Sequence, residues 1–87
     1  MIEFQVTVTV EGGLHARPAA LLVSRASRSQ SKITLNKGDK TVDARSILGI
    51  MTLGVSQGDQ LLIQIDGSDE EDAAAQIQDL FHQEFAG

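Results

Sequence analysis

The 87-residue sequence predicts a two-layer α+β domain in the order β-α-β-β-α-β-α, with all three helices on one face of a four-stranded sheet. Three observations carry this. The segment 2–10, IEFQVTVTV, alternates apolar and polar residues, the pattern of a strand with one wet face. Two short alternating runs, 32–37 and 40–43, flank a Gly38 turn. Apolar residues recur at helical spacing in the stretches before and after these strands.

Each element follows from local chemistry. In strand 1, Ile2, Phe4, Val6, Val8 and Val10 point one way and Glu3, Gln5, Thr7 and Thr9 the other; Glu11-Gly12-Gly13 ends it. A helix is predicted from Pro18 to about Ser27, with Ala19, Leu22, Val23 and Ala26 on its buried face and Pro18 in the first turn, where a missing N–H costs nothing. KITLNK and KTVD form a hairpin with Ile33, Leu35 and Val42 inward and Gly38 free to take positive φ. A short helix runs from Ser46, a capping residue, to about Leu53, and Gly54 ends it. The fourth strand is QLLIQID, with Leu61, Ile63 and Ile65 on one face. The last helix is predicted over Asp69–Phe85, opened by a Ser68/Glu71 capping box, with Ala73, Ile77, Leu80, Phe81 and Phe85 as its stripe. The long link between strands 1 and 2 suits a parallel pair with strand 4 slotted between them.

At this length the chain is expected to form one domain, residues 1–87, with one core. No apolar run could span a bilayer, and the N-terminus lacks a signal-peptide pattern, so a cytoplasmic protein without membrane insertion is expected. The absence of cysteine removes disulfides and thiolate metal sites, and two distant histidines make no metal ligand set. No P-loop or Gly-x-Gly-x-x-Gly is present, so neither metal nor cofactor is implied. A net charge of −5 argues against direct binding to nucleic acid. The acidity is uneven, however. DGSDEED (66–72) gathers five carboxylates, while Arg17, Arg25, Arg28 and Lys32 lie in a stretch without acids, leaving room for a local basic face. DGSDEED lacks calcium-loop spacing and fits the acidic bias of a helix start. His82 lies beside the apolar stripe, at a surface position.

The chemistry concentrates in GGLHARPAALLV, residues 12–23. His15 precedes a helix whose first amides, including those of Ala16 and Arg17, have no partner within the helix. Such an end favours an anion, phosphate above all, and the Arg17 guanidinium suits phosphate oxygens. A neutral imidazole nitrogen can be a nucleophile. Together these parts describe a phosphoryl acceptor, set against the plainer reading of His15 as a capping or surface residue.

GLHARPAALLV resembles the active-site signature of the HPr family, the histidine-containing phosphocarriers of the bacterial sugar phosphotransferase system. DARSILGIMTLGVSQGD, Asp43 to Asp59, is similar to that family's second signature, around a regulatory serine. The resemblance covers the whole chain. It implies an open-faced β-sandwich, an antiparallel sheet of order 1-4-2-3 under three helices. It also implies a carrier, not an independent catalyst. Enzyme I, charged from phosphoenolpyruvate, would pass a phosphoryl group to His15 at Nδ1, with Arg17 as its partner and the Ala16 and Arg17 amides as a backbone cradle. The group would then go to the IIA domain of a sugar permease.

Ser46 reads from the residues alone as an N-cap. The resemblance, closest to the Gram-positive branch through Ile47, Leu48, Gly49 and Met51, adds ATP-dependent phosphorylation by a dedicated kinase/phosphorylase and corepression with a LacI-type transcription regulator. The short helix is apolar nearly all round. With Ile50 and Leu53 in the core, Ile47, Leu48 and Met51 would form an exposed docking patch with Ala20; the alternative buries all five of its large apolar side chains. Positions 24, 27 and 49, often basic in the family, are Ser24, Ser27 and Gly49, and Gly12 replaces a commoner small polar residue. Arg25, Arg28 and Arg45 are candidates to share that basic role. A monomer is expected, because a carrier must expose one face to successive partners. The alternatives are a catabolite-repression or nitrogen-type regulatory paralogue, or an interaction module whose histidine is never modified.

Overall fold

The computed structural model describes residues 1–85. Its elements are β1 (Ile2–Thr7), α1 (Ala16–Ser27), β2 (Lys32–Lys37), β3 (Lys40–Asp43), α2 (Ile47–Thr52), β4 (Gln60–Asp66) and α3 (Glu70–His82). The order is the one that apolar periodicity predicts. The sheet runs β1-β4-β2-β3, with every neighbouring pair antiparallel. β4 therefore lies between β1 and β2, and those two strands run parallel to each other without being hydrogen-bonded neighbours.

The alternation in β1 and β4 assigns the two faces of the sheet. Leu61, Ile63 and Ile65 of β4, Ile33 and Leu35 of β2, and Val8 after β1 point into one core with Leu22, Ala26, Ile50, Ile77 and Leu80 of the helices and Leu53 at the end of α2. The opposite face is polar. There the Gln64 side chain accepts from Asn36 at 3.1 Å and donates to Glu3, while Thr41 donates to Asn36 at 2.6 Å, a ladder that satisfies amide groups across the sheet.

Several boundaries differ from the sequence expectation. β1 stops at Thr7 although alternation continues to Val10, because the Val8 and Gly58 amides bond across a turn (Val8 N–H to Asp59 O at 2.8 Å, Gly58 N–H to Val8 O at 2.7 Å). α1 begins two residues before Pro18. α3 ends at His82, not Phe85, since Glu84 and Phe85 adopt positive φ (54° and 61°) and fold Phe85 back against Phe81, the ring centroids 4.9 Å apart at 77°. Phe85 is still buried, as its place in the stripe requires.

The capping box does not form. Ser68 is exposed, and Asp69 is the N-cap residue, its side chain making no capping bond. That carboxylate instead accepts from the Ser29 hydroxyl, the Gln30 amide and the buried Ser31 hydroxyl, stapling the end of α1 to the start of α3. Gly67 makes room: a Cβ there would lie 2.5 Å from the Ser31 hydroxyl oxygen. Among the described residues no helix is long and apolar enough to cross a membrane.

Candidate functional site

His15 leaves a loop that is clamped from both sides. Gly13 has φ +70°, and a Cβ on it would sit 2.2 Å from the Val55 carbonyl oxygen and 2.8 Å from the Ser56 Cα, so only a hydrogen fits. The Gly13 N–H donates to Val10 O at 3.0 Å, and the Leu14 N–H donates to Val55 O at 3.2 Å. The Leu14 side chain is buried in the core. With residues 13 and 14 fixed in this way, the next Cα has little freedom.

His15 is itself the N-cap of α1, with extended backbone (φ −79°, ψ −169°), and its carbonyl accepts the Ala19 N–H at 2.9 Å. The imidazole makes no capping bond and is exposed. Its Cδ2–Nε2 edge faces Gly12: a Cβ at Gly12 would lie 3.0 Å from Cδ2 and 3.4 Å from Nε2. Nδ1 is thus on the ring edge away from Gly12.

The first turn of α1 places the Ala16 and Arg17 amides beside this ring, and neither has a backbone or side-chain acceptor among the described residues. Pro18 follows with no N–H to satisfy, so the early start of α1 leaves no further donor stranded. The Arg17 side chain is exposed and enters no ion pair or hydrogen bond among the described residues. An exposed nucleophilic nitrogen, two free amides at the positive end of a 12-residue helix and an uncommitted guanidinium together suit an anionic group bound transiently at His15.

The other arginines are placed differently. The Arg45 guanidinium donates through one nitrogen, Nη2, to the carbonyls of Ser29 and Ser31, bracing the α1–β2 turn, and its charge stays at the surface. Arg25 donates to Gln76 of α3 at 3.2 Å.

Ser46 is the N-cap of α2, and its hydroxyl accepts the Gly49 N–H at 2.9 Å. A Cβ on Gly49 would lie 3.1 Å from that oxygen, so glycine leaves the cap uncrowded. Ile50 and Leu53 are buried, whereas Ile47, Leu48 and Met51 are 46%, 75% and 42% exposed. The alternative that buries all five is thereby excluded. α1 and α2 pack against one another. The exposed α1 stripe of Ala16, Arg17, Ala20, Ser24 and Ser27 and the α2 patch therefore lie on neighbouring helices.

Sequence reasoning did not find the support beneath this site. The Gly12-Gly13 pair signalled a chain break but not a ring contact and a backbone clamp. Lys37 and Asp59, joined at 3.1 Å, stand 22 positions apart in unrelated segments and carry no local signal.

The model of the PTS HPr component phosphorylation site family matches residues 2–83. A phosphocarrier protein HPr of Xylella fastidiosa (strain Temecula1) is 44% identical over 85 residues, covering 98% of this chain and 96% of that one. The crystal structure of HPr-C-His from Thermoanaerobacter tengcongensis superposes with a TM-score of 0.96 at 45% identity, covering 100% of this chain and 98% of the other. The crystal structure of an HPr dimer from the same organism gives 0.79 at 46% identity, covering 94% and 97%.

Proposed function

Because this chain belongs to the HPr family of phosphotransferase-system phosphocarriers, we propose that its carrier atom is Nδ1 of His15, which takes a phosphoryl group from enzyme I and gives it to the IIA domain of a sugar permease. The observation that carries this assignment is the exposed imidazole at the N-cap of α1, beside the unpartnered Ala16 and Arg17 amides.

In the forward step the Nδ1 lone pair forms the N–P bond while the bond from phosphorus to the donor breaks, and the donor keeps that electron pair. The step needs positioning and charge stabilisation more than covalent help from the protein. Loop 12–14 provides the positioning, and the amides with the Arg17 guanidinium provide the charge stabilisation. The site is exposed. That suits a carrier, since a cradle that held the phosphorylated ground state as tightly as the transition state would speed nothing.

Ser46 supports a second, regulatory reading. Its hydroxyl already sits at a helix N-terminus, bonded by the Gly49 amide, where added negative charge is favoured and little refolding is needed. Phosphorylation there by an ATP-dependent kinase would add negative charge beside the docking patch of Ala20, Ile47, Leu48 and Met51. It would then oppose acidic partners and create a surface for a LacI-type regulator. The chain works in the cytoplasm as a monomer in this reading; sedimentation at working concentration checks that against the dimer seen for a relative.

The decisive experiment incubates the protein with enzyme I and phosphoenolpyruvate. An acid-labile, base-stable adduct is expected on wild type and none on His15→Ala. No wild-type adduct, or an equal one on the variant, rejects the assignment. For Ser46, an acid-stable adduct with kinase and ATP should vanish in Ser46→Ala.

A further inference from the structure

The loop that carries His15 rests on residues 54–59, a segment that meets Val8, Thr9, Gly13 and Leu14. Gly58 N–H donates to Val8 O, Val8 N–H donates to Asp59 O, and the Gln57 side chain donates to Thr9 O at 3.1 Å. The Val55 carbonyl accepts the Leu14 N–H, and the Val55–Ser56 backbone faces Gly13 at a distance that admits no side chain.

One cation ties the two ends of this segment together. The Lys37 ammonium, at the end of β2, donates to the Gly54 carbonyl at 2.6 Å and pairs with the Asp59 carboxylate at 3.1 Å. The same Asp59 oxygen accepts the Ser56 N–H at 2.8 Å. The backbone bond from Ser56, with Lys37 second, holds the Asp59 carboxyl below its usual range. Among the described residues this is the one ion pair between two side chains. Both partners are about one-third exposed, so as a mere surface pair it would contribute little to global stability. Its position gives it a different use.

We propose that Lys37 and Asp59 are positioning residues for His15, fixing the 54–59 segment against which Gly13 and Leu14 set the imidazole. The proposal rests on the phosphoryl-carrier reading for its effect on transfer. The clamp itself can be read in the unphosphorylated protein.

The test compares Lys37→Met, Asp59→Asn, the double variant and Lys37→Arg. Amide hydrogen exchange of Leu14 is measured first, without any partner. Phosphoryl acceptance from enzyme I and phosphoenolpyruvate follows, with KM and kcat separated. Each single variant should speed Leu14 exchange and lower kcat by about three- to fivefold with KM little changed. The double variant should be no worse than either single one, and Lys37→Arg should restore both readouts. Unchanged Leu14 exchange overturns the proposal. So does faster exchange with unaltered kcat, which would make the pair structural, or a rise in KM alone, which would make Lys37 a partner contact. A wild-type protein that accepts no phosphoryl group overturns the carrier reading and any role in transfer, while faster Leu14 exchange in the variants would still establish the clamp.

Discussion

The hydroxyl of Ser31, wholly buried, donates to the Asp69 carboxylate at 2.5 Å across 38 residues of chain. The same carboxylate accepts from Gln30 N–H and the Ser29 hydroxyl, both at 2.9 Å. These three donors, Ser31 first, favour the ionised form and hold the Asp69 pKa at about 2, below the ordinary 3.8. A folded-state value below the unfolded one means that the staple stabilises the fold fully above the unfolded pKa and stops doing so as pH falls through about 2. The Tm of the wild type should therefore fall as pH is lowered from about 4 to 2, and Asp69→Asn should flatten that fall. Calorimetry across this window checks it. Ser31→Ala should lower Tm at neutral pH by about 5 °C or more, because a buried donor to a charged acceptor is lost.

The exposed Arg17 side chain enters no ion pair or hydrogen bond among the described residues. Arg17→Ala should leave the urea midpoint unchanged while reducing the rate of phosphoryl acceptance about tenfold or more. Rapid-quench measurement with limiting enzyme I separates the two effects. A fall in stability to match the fall in rate would show that Arg17 serves the fold instead.

Ser46→Ala removes the acceptor of the Gly49 amide and should cost about 1 kcal/mol by urea denaturation. Ser46→Asp keeps an acceptor at the same place and adds negative charge at the helix start, so its stability should match or exceed wild type. The same charge should raise the KM for enzyme I.

Leu48 is the most exposed residue of the α2 patch at 75%. Leu48→Ser should leave Tm within a degree or two and raise the KM for enzyme I about fivefold, the effect of trimming a docking anchor. Circular dichroism and steady-state transfer assays read the two quantities.

The fold was legible because its signals are local and periodic. Alternation in 2–7 and 60–66, the Gly38 turn and the Ser46 cap each show within a few residues. The misreadings lie where a distant group wins. Asp69 takes the place of the Ser68/Glu71 box because Ser29, Gln30 and Ser31 arrive from the far end of α1 to claim it. α1 gains Ala16 and Arg17 because His15 serves as the cap through its backbone, leaving the side chain free. Of the proposed site residues, His15 and Arg17 stand out by residue type at a helix start, while Ser46 reads locally only as a cap and gains a regulatory role through the resemblance. The Gly12 ring contact, the Gly13 clamp and the Lys37–Asp59 pair do not stand out, since each depends on which segments tertiary folding brings together.

The sheet order has a consequence for synthesis. Among the described residues β1 hydrogen-bonds to no strand except β4, which ends at Asp66, and the segment that seats residues 8–14 is itself 54–59. On the ribosome, β1 and the loop after it therefore wait unpaired until most of the polypeptide has emerged. A nascent or prematurely terminated product ending before residue 54 would display the histidine motif in its sequence yet lack the segment that seats it, so the motif would take its folded setting only on longer products.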